Sequence, residues 1–254
     1  MRQLVQFVII LFALLENNVY AAVLNDSTVV VLADWNRGEK HLFRYSLNNY
    51  RISRIDTLYK RCISRDFTIT IDDSTQHLYS LRYDRCNNPL KRDSIPLDIF
   101  PLKLMVNRNG ALIKILNWDG YIVWGNNDIK KTSYELYPFV SLLSFNGKKL
   151  KLNQPYRDIE YISGEKIGVN DSIISKTEMV ATRDFEKVGE YGLITINTVT
   201  TYQKNRDISS VLAIEKFSQI IDSDNGWAIA TYFEKYIKKD DVDSIMSWNI
   251  KLID

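Results

Sequence analysis

Period-two alternation is the dominant signal along the chain. Leu102, Leu104 and Val106 alternate with Lys103, Met105 and Asn107, and beyond Asn109-Gly110 the pattern resumes with Ile113, Lys114 and Ile115. Successive side chains of a strand point to opposite faces, so such a run lays its apolar residues on one side of a sheet. Asn-Gly between two alternating runs favours a type I′ turn, whose central residues both need positive φ. The pattern predicts a hairpin in which Val106 faces Ile113 and Leu104 faces Ile115. The last strand is as clear: Met246, Trp248, Ile250 and Leu252 alternate with Ser247, Asn249 and Lys251.

A second hairpin is expected from residues 67–71, through a turn at 72–76, into 77–84. A third runs from 212–221 through an acidic turn at 222–226 and returns over 227–237. Further strands are predicted over 28–35, 42–52, 57–63, 175–182 and 191–202. Helix is scarce. Pro138 suits a first helical position, Phe139, Val140, Leu142, Leu143 and Phe145 follow, and Gly147 can terminate, which allows two turns. Residues 117–153 are the least regular and read as a lid or connector. The fold class expected is mainly β: a long antiparallel meander forming a strongly curved sheet or partly open barrel, with one or two short helices.

The first 21 residues follow another pattern. Arg2 precedes an apolar run over 7–15, Glu16, Asn17 and Asn18 end it, and Val19-Tyr20-Ala21 suits signal peptidase. The run is too short for the roughly 20 residues that cross a bilayer. The expectation is a signal peptide over 1–21, an exported (periplasmic or secreted) product and no membrane span in the mature chain. Residues 22–254 then form a single β-rich domain. Two similar halves, about 22–118 and 155–254, stay open as a reading. Gly38-Glu39-Lys40, Asp56-Thr57-Leu58 and Arg65-Asp66-Phe67 recur in order as Gly164-Glu165-Lys166, Asp171-Ser172-Ile173 and Arg183-Asp184-Phe185, but at different spacings.

Composition agrees with strands: 15 Tyr, against 10 Gly and 5 Pro, leave no flexible linker to mark a boundary. A formal net charge of +2 gives no electrostatic case for nucleic acid as a partner. Cys62 and Cys86 are the two cysteines. If Ile71 pairs with His77, the two cysteines sit opposite each other, on the face shared by Thr68 and Thr70. A disulfide there is the expectation, worth about 3.5 kcal/mol by chain entropy. The other reading is two thiols, with a bulge spoiling the register.

Catalytic signatures are missing. His41 and His77 are the two histidines, each in an expected strand, and H-E-x-x-H, G-x-S-x-G, the P-loop and G-x-G-x-x-G do not occur. No catalytic, cofactor-binding or metal-ligating residue and no cofactor is assigned. Asp222-x-Asp224-Asn225-Gly226 places Gly fifth where a calcium loop has it sixth, so an acidic hairpin turn is the better account. Asp240, Asp241 and Asp243 read as a solvated turn. Trp35, Trp118, Trp124, Trp227 and Trp248 suit either a core or an apolar concavity.

Three short stretches carry a resemblance. Gly38-Glu39-Lys40 leads to Phe43 and Tyr45, Asn109-Gly110 leads to Asn117-Trp118, and Asp222 to Trp227 opens the final hairpin. In this order the chain resembles exported bacterial β-rich proteins of unknown function, a resemblance that implies a long meander and assigns no site residue. Three functional readings follow. The leading one is a non-enzymatic binding protein that shelters an apolar, lipid-like ligand. The others are a secreted hydrolase with an unrecognised Asp, Glu or His site, and an envelope structural or assembly protein acting on an envelope partner through an edge strand.

Overall fold

The computed structural model describes residues 23–25, 27–53, 57–75, 78–85, 102–108, 112–117, 142, 149–164, 172–184, 192–205, 207–239 and 242–253. The strands among them are β1 (Val23–Asn25), β2 (Thr28–Val30), β3 (Lys40–Ser53), β4 (Thr57–Ser74), β5 (Leu78–Arg85), β6 (Leu102–Asn107) and β7 (Leu112–Ile115). After these come β8 (Lys149–Lys151), β9 (Tyr156–Ser163), β10 (Ser172–Asp184), β11 (Leu193–Lys204), β12 (Asp207–Asp222), β13 (Ala228–Lys239) and β14 (Val242–Leu252). β1, β2 and β8 make a small sheet; the other eleven form one antiparallel sheet in the order β7-β6-β5-β4-β3-β14-β13-β12-β11-β10-β9. Two meanders thus meet where the last strand pairs with β3, from Val242↔Ser53 to Leu252↔Phe43.

The expectation of a mainly β antiparallel meander holds, with one correction: among the described residues the sheet is not closed into a barrel. Closure would require β7 to pair with β9. β7 has four residues and its pairing with β6 is bulged between Met105 and Val106, which leaves little ladder to offer. The helix expected after Pro138 lies outside the described residues except for Leu142, which is helical. Leu142 is buried, and its carbonyl accepts a bond from Gln219 Nε2 at 2.9 Å.

Alternation decides which side of the sheet is buried. Phe43, Phe67, Ile69, Ile71, Leu81, Leu102, Leu104, Val106, Phe233, Trp248 and Ile250 share one side and pack with Ala33, Trp35 and Leu142. Farther along that side, Met179, Ala181, Ile194, Ile196 and Ile221 meet Val29, Val31, Leu150 and Leu152 of the small sheet and its flanks. The outer side is polar where β3 and β4 meet: Arg44 Nε and Nη2 make a fork to the Asp66 carboxylate at 2.8 and 2.9 Å.

Two further expectations are revised. The strand expected over 28–35 stops at Val30, because Ala33 N–H bonds Arg108 O and Asp34 N–H bonds Asn225 O instead of a ladder. The β4–β5 register also differs. Ile71 pairs with Leu81, not His77, and β4 runs on to Ser74 through a shift between Ile71 and Asp73. Thr75 closes the turn: its N–H and hydroxyl donate to Leu78 O, and Leu78 N–H donates back to the hydroxyl. Cys62 therefore lies across from Asn48 of β3, and the register that placed it opposite Cys86 is not the one adopted. Cys62 is exposed, and no cysteine stands across from it among the described residues. Cys86 lies outside the described residues, as do the signal peptide, Asn109-Gly110, Trp118, Trp124, Asp240 and Asp241.

Candidate functional site

The first constellation joins two of the stretches that the sequence singled out. In the β12–β13 turn, the Asp222 carboxylate accepts Asp224 N–H at 2.9 Å and Asn225 Nδ2 at 3.1 Å, and Asn225 Oδ1 accepts Trp227 N–H at 2.9 Å. Burial pushes the Asp222 carboxyl above its ordinary range despite those bonds. Gly226 has φ 75° and lies against the Leu32–Ala33 backbone, where a side chain has no room. This delivers Trp227 to the core, stacked on Trp35 with centroids 4.4 Å apart.

There its indole N–H donates to Glu39 Oε1 at 2.6 Å. His41 Nε2 reaches the same oxygen at 2.9 Å, and Asn36 N–H donates to Oε2 at 2.8 Å. Burial alone would raise the Glu39 carboxyl; the bonds from His41, Asn36 and Trp227 outweigh it and hold the group below its ordinary value. A carboxylate–histidine pair is nominally an acid–base couple. Here both Glu39 oxygens are occupied, and His41 sits edge-on to Trp227 at 4.7 Å, so the geometry is that of a clamp. The clamp fastens residues 31–39 to the sheet, helped by Tyr79 OH donating to Ala33 O at 2.8 Å.

A second constellation interrupts the apolar side of the sheet. Register places Thr177, Thr200, Glu215 and Lys235 in one cross-strand row on the core-facing side. Lys235 Nζ meets Glu215 Oε1 at 2.7 Å, Tyr202 OH donates to Glu215 Oε2 at 2.8 Å, and the Thr177 and Thr200 hydroxyls are 3.0 Å apart. The row on one flank, containing Phe217, Phe233 and Trp248, is apolar, and on the other flank Ile173, Tyr202 and Ala213 form a smaller buried cluster, so this line of satisfied polar groups separates two apolar regions of the same side.

The third lies on the opposite side of the sheet. Ile214, Tyr236, Ile245 and Tyr50 stand directly opposite one another on β12, β13, β14 and β3. Beside them a depression of about 220 Å³ is lined by Ile214, Lys216, Glu234, Tyr236 and Ile245. Tyr236 OH donates to Asp243 Oδ2 at 2.7 Å, which fixes the ring, and Lys216 Nζ stands 3.4 Å from Glu234 Oε1. The Asp243 carboxylate, with partial burial behind it, raises the Tyr236 hydroxyl above its ordinary value. An apolar floor with one cation and one anion at its rim suits the hydrocarbon end of a small molecule.

The residues weighed in the sequence thus have separate fates. Trp35, Trp227 and Trp248 are core, His41 belongs to the clamp, Asp243 holds Tyr236, and His77 lies outside the described residues. The row of Ile214, Tyr236 and Ile245 escaped sequence reasoning. Its signal is there, though: these apolar residues fall out of phase with the buried positions of their own strands.

No protein family and no curated protein matches the chain. Among solved structures, one of lipovitellin, concerned with its lipid–protein interactions, is 11% identical with a TM-score of 0.45. The match covers 87% of this chain and 26% of that one, so the chain spans about a quarter of the lipovitellin chain's length. A likeness of that degree says nothing of what this chain binds.

Proposed function

We propose that this chain is an exported, non-enzymatic binding protein that takes the apolar end of a small lipid-like molecule on the outer side of its large sheet. The observation that carries the reading is the depression beside Ile214, Tyr236 and Ile245, on a side that the core does not use. At about 220 Å³ it is smaller than the roughly 300–1,000 Å³ typical of sites that engulf a whole ligand. It therefore receives one end of a molecule, with the remainder lying along the row toward Tyr50. Export rests on the apolar run over 7–15 and the Val19-Tyr20-Ala21 site.

Native mass spectrometry after incubation with a lipid extract tests the proposal. The expected result is a discrete lipid adduct on the unmodified protein, absent from Ile214→Glu and Ile245→Glu. Empty protein throughout, or an adduct that survives both substitutions, would refute it.

A further inference from the structure

Apart from ligand binding, one edge of the large sheet carries a pattern of its own. β9 pairs with β10 along its whole length, from Tyr156↔Met179 to Ser163↔Ser172, and has no neighbour on its outer side among the described residues. Tyr161, Ile159 and Tyr156 are 72%, 60% and 57% exposed, the highest values of the large apolar side chains described. Alternation sorts the rest. Asp158 and Glu160 share the side of Thr177 and Ser175, while Arg157, Ile159 and Tyr161 take the other. Arg157 Nε is already held by Glu178 Oε2 at 2.7 Å.

Exposed edges are commonly blunted by charge. Here the guard is specific: Asp158 Oδ1 accepts the N–H of Ile159 at 2.9 Å, so that N–H points outward and not into the β10 ladder. The opposite edge differs, being four residues long and bulged.

We propose that β9 is a docking edge for an extended peptide of another protein, with Lys or Arg at alternate positions and apolar or aromatic residues between them. Added antiparallel, its cations lie across from Asp158 and Glu160 and its apolar side chains cover Ile159 and Tyr161. A cation drawing Asp158 aside also frees the Ile159 N–H for the incoming carbonyl. Charge disfavours a second copy of this chain in the central registers of β9. A symmetric antiparallel pairing centred on Asp158, Ile159 or Glu160 sets carboxylates of the two copies face to face, which is destabilising.

The test uses the full chain and a fluorescein-labelled synthetic peptide, Ile-Lys-Tyr-Lys-Ile-Lys-Val, followed by fluorescence anisotropy at low salt. The expected result is saturable binding, and none by the same peptide with Glu for Lys. In the double variant Asp158→Asn, Glu160→Gln, binding should be about tenfold weaker, as the loss of two exposed ion pairs implies. Ile159→Pro removes the outward N–H and leaves the β10 ladder, so it should abolish binding while circular dichroism stays unchanged. Failure of the unmodified chain to bind, equal binding of the Glu peptide, or full binding by both variants would overturn the proposal. So would a peptide-independent dimer that Ile159→Pro dissociates.

Discussion

Trp227 and Glu39, 188 residues apart in the chain, share a hydrogen bond of 2.6 Å. The indole is 3% exposed and the carboxylate is its partner, so either residue alone leaves a buried polar group behind. Glu39→Ala is expected to cost about 2–3 kcal/mol, because Trp227, His41 and Asn36 all lose their acceptor. Urea unfolding of the purified protein measures it, and a cost under about 0.5 kcal/mol would mean the clamp contributes little.

The same carboxylate predicts an acid limb. Its folded value lies below the ordinary one, so the unfolded chain binds the proton more tightly. The stabilisation is present above the unfolded value and is lost as pH falls through the folded one. Stability measured below pH 4.5 should decline less steeply in Glu39→Gln than in the unmodified protein.

Gly226 and Gly38 offer a matched pair. Both have positive φ, 75° and 84°, but a Cβ at Gly226 would overlap the Leu32 carbonyl, whereas one at Gly38 meets nothing within 4 Å. Gly38→Ala should cost about 1 kcal/mol, from backbone conformation alone. Gly226→Ala should cost about 3 kcal/mol or more, since the 31–36 segment must move away. Equal losses in the two variants would rule out the close approach.

Tyr79 tests the same segment from the other side. Burial raises its hydroxyl above the ordinary value, and the proton is held toward Ala33 O. Stability from this group is complete below the unfolded value and is lost as pH rises through the folded one. Tyr79→Phe should cost about 1 kcal/mol at neutral pH and flatten the alkaline limb, which chemical denaturation across pH would register.

Cys62 is exposed and lies across from Asn48, with no cysteine near it among the described residues. A maleimide added to the folded, unreduced protein should label it within the native state, as peptide mapping would record. Cys62→Ser should shift stability by less than about 0.5 kcal/mol. A loss near 3.5 kcal/mol is instead the signature of a disulfide.

Much of the sheet was legible because alternation reports burial directly. Trp248 and Ile250 are buried as their period demands, and Leu104↔Ile115 pairs as expected. The same hairpin shows the limit. A bulge sets Val106 opposite Leu112 in place of Ile113, which is left exposed, and nothing in a period-two pattern reveals one extra residue. The Cys62 register was misread for a related reason: the turn is set by Thr75 bonding Leu78, not by the acidic run before it. β9 gave no signal because Tyr156, Ile159 and Tyr161 are not buried on one face, and periodicity records burial only. The Glu39–Trp227 clamp joins two motifs visible in the sequence, but their meeting depends on how β3, β13 and β14 are ordered in space.

The pairing of β14 with β3 has a consequence for assembly. As the chain is made, β3 can pair with β4 at once, yet its other flank waits until nearly two hundred more residues have emerged. Throughout that interval an open ribbon edge is exposed to any competing strand. The slow, vulnerable event in maturation is therefore the arrival of β14, and a chaperone would act by keeping that one flank unoccupied.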